Sequence, residues 1–263
     1  MRAFGKHRLY HFKNRTTRLA IIKDYEPVLS FSDEASARYH DERGDELVSV
    51  AFLKSLAGDG PALELAIGTG RIALPLAAEG IQVDGIDFSE QMVERLRAKP
   101  GGDRLSVQIA DFTDVAVTGK YALIYVVWNS LFNVLSQHDQ VRCFENVAAH
   151  LTDDGSFVVE AFVPSFLHRL VDHQEVKAEL IDVDAVRIGV LRHDPATQTL
   201  EQSHVTLSPA GTRLDPVVQR YAWPSELDLM ARLAGLELKD RCGGWSHQPY
   251  DATSELHISV YGR

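Results

Sequence analysis

Cysteine is scarce in this 263-residue chain, with Cys143 and Cys242 the whole supply. They form no CxxC pair, so neither a disulfide framework nor a thiolate zinc site is indicated, and two lone thiols fit a reducing compartment. Long apolar runs are missing too. No stretch approaches the roughly 18 residues of a membrane span, and the N-terminus lacks the apolar block of a secretory signal. A soluble, cytoplasmic protein with no membrane partner is expected. Basic residues are fewer than acidic ones, 27 against 37, and the formal net charge of −10 argues against a nucleic-acid partner.

That shortage is uneven. Arg2, Lys6, Arg8, Lys13, Arg15, Arg18 and Lys23 crowd the first 23 residues, and no acid precedes Asp24. Four readings fit this leader: docking on the acidic body, contact with an anionic substrate, recruitment of an acidic partner, or a tail. An acid-poor, Arg-rich leader also fits an organellar transit peptide, but its helical apolar face is weak. His7 and His11 stand four apart in it with no third ligand in view, so no metal is expected.

What the chain does have is apolar content, 45% by residue, enough for one large α/β domain or a core with a modest insertion. Residues 61 to 71, Pro-Ala-Leu-Glu-Leu-Ala-Ile-Gly-Thr-Gly-Arg, organise the rest. They predict a strand over 62 to 67, a tight Gly68-Thr69-Gly70 turn and a helix from Arg71 to residue 79. A helix over 45 to 57 precedes them. Strands follow at 81–87, 105–110, 121–127 and 155–162, with helices from the Ser89 cap to 98 and over 138–151. Strands alternating with helices imply right-handed crossovers and a parallel sheet. After Pro164 the rhythm changes to β segments at 176–182, 185–192, 199–207 and 213–222. A helix over 224–234 and strands at 236–242 and 255–262 finish the chain.

In an open parallel sheet, ligands sit outside the carboxyl ends of the strands. Here those ends carry Gly68 to Gly70, then Asp87, then Asp111-Phe112, then Trp128-Asn129. A carboxylate after the second strand suits a ribose diol, and Phe88 and Phe112 suit a purine face. Gly68-Thr69-Gly70-Arg71-Ile72-Ala73 also satisfies the loose dinucleotide fingerprint, with Asp87 about 20 residues on, so an NAD(P)-dependent oxidoreductase is the alternative. Three features oppose it. Glu64 has no use in pyrophosphate binding, Asp111 suits a cofactor with a single adenosine, and the remainder is too short and too β-rich for a hydride-acceptor domain.

The sequence resembles the class I S-adenosylmethionine-dependent methyltransferases over about residues 45 to 162. Leu63-Glu64-Leu65-Ala66-Ile67-Gly68-Thr69-Gly70 looks like their first motif, Asp84 to Met92 the second, and Ala110-Asp111-Phe112 the third. The β-rich insertion is similar to that of small-molecule members such as the nucleotide-sugar N,N-dimethyltransferases and the glycine/sarcosine methyltransferases. Ala66 departs from the pattern, where Gly is common. The resemblance implies an α/β, Rossmann-like, doubly wound and mostly parallel seven-stranded sheet with a C-terminal antiparallel strand and a β-rich insertion after strand five. Its segments would be a basic leader and lid over 1–44, a donor-binding core over 45–163, the insertion over 164–222 and a completing helix and strand pair over 223–263.

The resemblance also implies residue roles. Glu64 and the Gly68 and Gly70 backbone would hold the methionine part of S-adenosylmethionine, Arg71 its carboxylate and Asp87 the ribose. Phe88, Met92, Asp111 and Phe112 would enclose adenine, and Val127 and Asn129 would face the sulfonium. Tyr39 either closes the pocket or packs on the surface; Asn129 either orients the incoming group or caps the next turn.

Methyl transfer is an in-line displacement that depends on alignment and water exclusion, so a dedicated base is optional. His40, His138, His168 and His247 lie in segments facing the acceptor side, and none is assigned a catalytic role. The Asn/Asp-Pro-Pro-aromatic motif of amino-methylating DNA enzymes is absent after the fourth strand, which favours a small-molecule acceptor. The exit of strand five, the insertion and Gly243-Gly244-Trp245 form either the acceptor pocket or a homodimer surface. A non-catalytic S-adenosylmethionine-binding regulator is the remaining alternative.

Overall fold

The computed structural model describes Ile22, Tyr25, Ser30 and residues 46–263 apart from Ala116. Tyr39, His40, His7 and His11 lie outside the described residues. The chain runs α1 (Glu46–Ala57), β1 (Ala62–Leu65), α2 (Ala73–Ala78), β2 (Val83–Asp87), α3 (Glu90–Ala98), β3 (Ser106–Ile109), β4 (Tyr121–Val126), α4 (Gln137–His150) and β5 (Leu151–Phe162). Then come β6 (Gln174–Ile181), β7 (Val186–Asp194), β8 (Thr199–Ser208), β9 (Gly211–Arg220), α5 (Pro224–Leu233), β10 (Glu237–Cys242) and β11 (Leu256–Gly262).

Seven strands form one sheet in the order β10-β11-β5-β4-β1-β2-β3. β1 lies parallel to β2 and β4, while β11 is antiparallel to β5 and β10. The expected seven-stranded, mostly parallel architecture is the one observed. β1 and β4 are central because their side chains, Glu64 apart, are largely apolar on both faces and are almost wholly buried, as a doubly covered sheet requires. One face packs on α4 and α5 through Phe144, Val147, Leu227 and Met230. The other packs on α1 and α2 through Phe52, Leu53 and Leu76.

The ends of the elements show where local chemistry decides. Ser89 caps α3, its hydroxyl accepting from the Met92 amide at 3.3 Å. β1 stops two residues before the expected end because Ala66 takes φ +59°, a left-handed conformation that breaks the strand. α2 begins at Ala73, two residues late, which puts Pro75 in its first turn, where a missing N–H breaks no intrahelical bond. β5 begins four residues earlier than its apolar run suggests, because Leu151 already pairs with Tyr121 ahead of a register irregularity.

The insertion is a four-stranded antiparallel sheet, β6-β7-β8-β9. At its base Arg220 donates to Gln140 Oε1 at 2.6 Å and to Glu226 Oε1 at 2.7 Å, and Gln140 Nε2 donates back to the Arg220 carbonyl at 2.8 Å. Far from that base Val176, Ile181 and Leu214 are exposed. Ser30 reaches the same sheet, its hydroxyl donating to the Pro216 carbonyl at 2.5 Å. Among the described residues no helix is long and apolar enough to cross a membrane.

Candidate active site

The strand order reverses around β1, so the loops after β1 and β4 part and leave a crevice at the carboxyl ends of the strands. It encloses about 660 Å³ of space open to solvent. Glu64, Ile67, Gly68, Thr69, Arg71 and Ile72 line it from β1 and its loop; Asp87, Phe88 and Met92 from β2 and α3; Phe112, Val127, Trp128, Ser130 and Asn133 from beyond.

Glu64 lies at the floor, only 3% exposed on a strand that is otherwise apolar. The Tyr125 hydroxyl donates to its Oε2 at 3.0 Å. Burial pushes its carboxyl up to about 8, opposed by the Tyr125 bond, the Arg71 charge and the Ala73 amide. Burial thus favours the protonated carboxyl at the floor, and a neighbouring cation such as Arg71 favours the anion.

Asp87 ends β2 and holds the glycine turn in place. Gly68 N donates to its Oδ2 at 2.7 Å and Ser89 N to its Oδ1 at 2.8 Å. Burial raises its carboxyl above the usual range, and these amides pull it back. Lys99 Nζ donates to the Thr69 carbonyl at 2.8 Å, a further tie on the same turn. Gly70 is required twice, by φ +78° and by the Leu96 and Leu74 side chains, which a Cβ would meet at 3.0 and 3.1 Å.

The torsion at Ala66 accounts for the glycine that is common at this position in the family the sequence resembles. Its φ of +59° costs a non-glycine residue about 1 kcal/mol or more, so the alanine is tolerated under strain. Ala66→Gly is expected to leave the melting temperature level or raise it by a few degrees, because relief of strain outweighs the extra freedom of the unfolded chain. Thermal melting checks this, and a clear drop would show that the methyl group packs favourably.

At the exit of β4, Trp128 and Asn129 both take left-handed torsions, φ +55° and +61°. Trp128 N donates to Glu160 Oε2 at 2.9 Å, and the Arg71 guanidinium stands 5.7 Å over the indole ring. The Asn129 Oδ1 accepts from Phe162 N at 2.7 Å, a tie to β5, and Asn129 is not among the lining residues. Asp111 is not among the lining residues either, and its Oδ1 accepts from the Thr113 amide at 2.8 Å and hydroxyl at 2.7 Å. Gly70 supports the turn from behind. Of the expected site residues, Glu64, Gly68, Arg71, Asp87, Phe88, Met92, Phe112 and Val127 meet in the crevice.

Thr69 and Trp128, expected at the strand ends but given no role, join them, as do Ile72, Ser130 and Asn133. Ser130 and Asn133 arrive on a short 3-10 turn, Ser130–Asn133, which no periodicity announces. Asn133 also reaches the insertion, its Oδ1 accepting from Gln219 Nε2 at 3.2 Å. The crevice thus has two buried acids, an open glycine face at Gly68 where a Cβ would touch nothing, and apolar walls, a donor set that fits an adenosyl sulfonium.

The CcbJ methyltransferase from Streptomyces caelestis has the same fold at a TM-score of 0.84, with 34% identity over 90% of this chain and 99% of that one. The chain belongs to the class I S-adenosylmethionine-dependent methyltransferases. A family profile described as a methyltransferase domain matches residues 62–155 of this methyltransferase, the stretch from β1 into β5. The cypemycin N-terminal methyltransferase of Streptomyces sp. is 25% identical over 209 residues, which cover 76% of this chain and 82% of that protein. The sugar N-methyltransferase KedS8 from Streptoalloteichus sp. ATCC 53650 shares the fold over the whole of both chains, with a TM-score of 0.66 and 15% identity.

Proposed function

We propose that this methyltransferase transfers the methyl group of S-adenosylmethionine to the amino nitrogen of a small molecule. The observation that carries this reading is the division of charge around the crevice. Its ionisable lining residues, Glu64, Arg71 and Asp87, all belong to the β1 and β2 side, whereas the β4 side offers Val127, Trp128, Ser130 and Asn133. A hydroxyl or carbon acid needs a base as it reacts; an amine needs only to arrive with its lone pair free and be aligned. The amide and hydroxyl of Asn133 and Ser130 suit that task, and the similar cypemycin N-terminal methyltransferase is, by its name, an enzyme with an amine acceptor.

In this reading Asp87 accepts from the ribose hydroxyls while Phe88, Met92 and Phe112 enclose adenine. Gly68, Glu64 and Arg71 hold the amino-acid end, Arg71 toward its carboxylate and Glu64 toward its ammonium. The donor supplies an electrophilic methyl group. Val127 walls the reaction zone and excludes water from it.

The test is a panel of amino sugars, peptides with free N-termini and matched hydroxyl compounds, each incubated with the chain and S-adenosylmethionine and read by mass spectrometry. Amines are expected to gain one methylene unit with equimolar S-adenosylhomocysteine, at a rate that rises with pH as the acceptor loses its proton. Methylation of hydroxyl compounds with every amine untouched would overturn the assignment.

A further inference from the structure

At the end of β10, outside the crevice, the chain brings a carboxylate, a thiol and an imidazole together. Asp240 and Cys242 are two apart on one strand and so project to one side. After Cys242 the chain turns through Gly243, Gly244 and Trp245 and comes back on itself, with Gly243 N donating to the Gln248 carbonyl at 2.7 Å and Cys242 bridging to Pro249. That closure returns His247 to the strand end. The Cys242 thiol donates to Asp240 Oδ2 at 3.5 Å and lies 3.9 Å from His247 Nδ1, and the three donor atoms all fall within 4.8 Å of one another.

These separations are close to those of a tetrahedral metal site. With bonds of about 2.3 Å to sulfur and about 2.0–2.1 Å to nitrogen and oxygen, a zinc tetrahedron places its sulfur about 3.5 Å from each neighbouring donor. The ligands are also held before any ion arrives. The His247 ring lies against Phe52 with centroids 4.6 Å apart, on a backbone at φ +56°, and Cys242 is buried while Asp240 and His247 face solvent, leaving an entry path.

We propose that Asp240, Cys242 and His247 bind one zinc ion, with water in the fourth position. Binding breaks the Cys242 S–H bond, forms a zinc–thiolate bond and passes the proton to solvent. None of the three residues lines the crevice, so the ion serves structure: it pins the 243–249 loop and with it Trp245, which packs edge-on against Phe52 of α1 at 5.4 Å. Two thiols far apart in sequence gave no sign of this, because the pattern that matters is Asp-x-Cys with a histidine five residues on.

The experiment titrates the metal-stripped full chain with cobalt and then zinc. Cobalt is expected to produce a thiolate-to-metal charge-transfer band that one equivalent of zinc removes, with one proton released and a raised melting temperature. Cys242→Ser should abolish the band, and His247→Ala and Asp240→Asn, both at exposed positions, should each weaken zinc at least about tenfold. Calorimetric binding of S-adenosylmethionine certifies that each variant is folded. A wild-type chain without the band, or variants that bind zinc as the wild type does while still binding the methyl donor, would overturn the proposal.

Discussion

Asp87→Ala is expected to weaken S-adenosylmethionine binding at least tenfold in calorimetry, and an unchanged affinity would contradict the role given to this residue. Two losses combine. The ribose would lose a charged acceptor, and hydrogen bonds to charged groups are worth about 1.5–3 kcal/mol each, against about 1.4 kcal/mol for a tenfold change. The turn would lose its anchor as well, since Gly68 N and Ser89 N both donate to this carboxylate. Asp87→Asn separates the two effects. One amide oxygen can still accept from one of these N–H groups, so a smaller loss is expected.

Glu64 gives the second large effect, and it depends on pH. Its carboxyl is raised from an ordinary 4.5 to about 8 in the folded protein. A raised acid favours the protonated folded state, so its contribution to stability is complete below the unfolded value and is lost as pH rises through the folded one. The melting temperature of the free protein should therefore fall, relative to Glu64→Gln, between about pH 5 and about pH 8.

Donor binding carries the opposite sign. A sulfonium and ammonium placed beside Glu64 favour its anion, so affinity should rise with pH toward about 8, with a proton released on binding near neutrality. Calorimetry in buffers of different ionisation enthalpy counts that proton. Glu64→Gln should abolish the release and weaken binding about tenfold or more, given the worth of a charge-assisted bond. Release that persists in the variant would assign the proton to another group.

The order of strands and helices was legible because the central strands are apolar runs set between turn residues, a pattern that needs no long-range information. Strand ends were less so. The alanine at 66 looks like a strand residue, and only its torsion reveals the break. Near the crevice, Asp111 stands at a strand end as the sequence places it, and Thr113, two residues on, holds one of its two carboxylate oxygens in a local turn. That signal was present in the sequence as Asp-Phe-Thr. Asn133 was not recoverable in this way, since its position depends on the 3-10 turn and on Gln219, 86 residues away.

Trp128 holds a torsion that its side chain disfavours beside Asn129, whose left-handed torsion asparagine tolerates, and the adjacent strand keeps both there through the Glu160 carboxylate and the Phe162 amide. The crevice rim is thus shaped by a residue no ligand need ever touch. Across lineages, drift at position 160 should be matched by drift at 128 or 129, a covariation that would look like shared chemistry and would originate in the twist of a peptide.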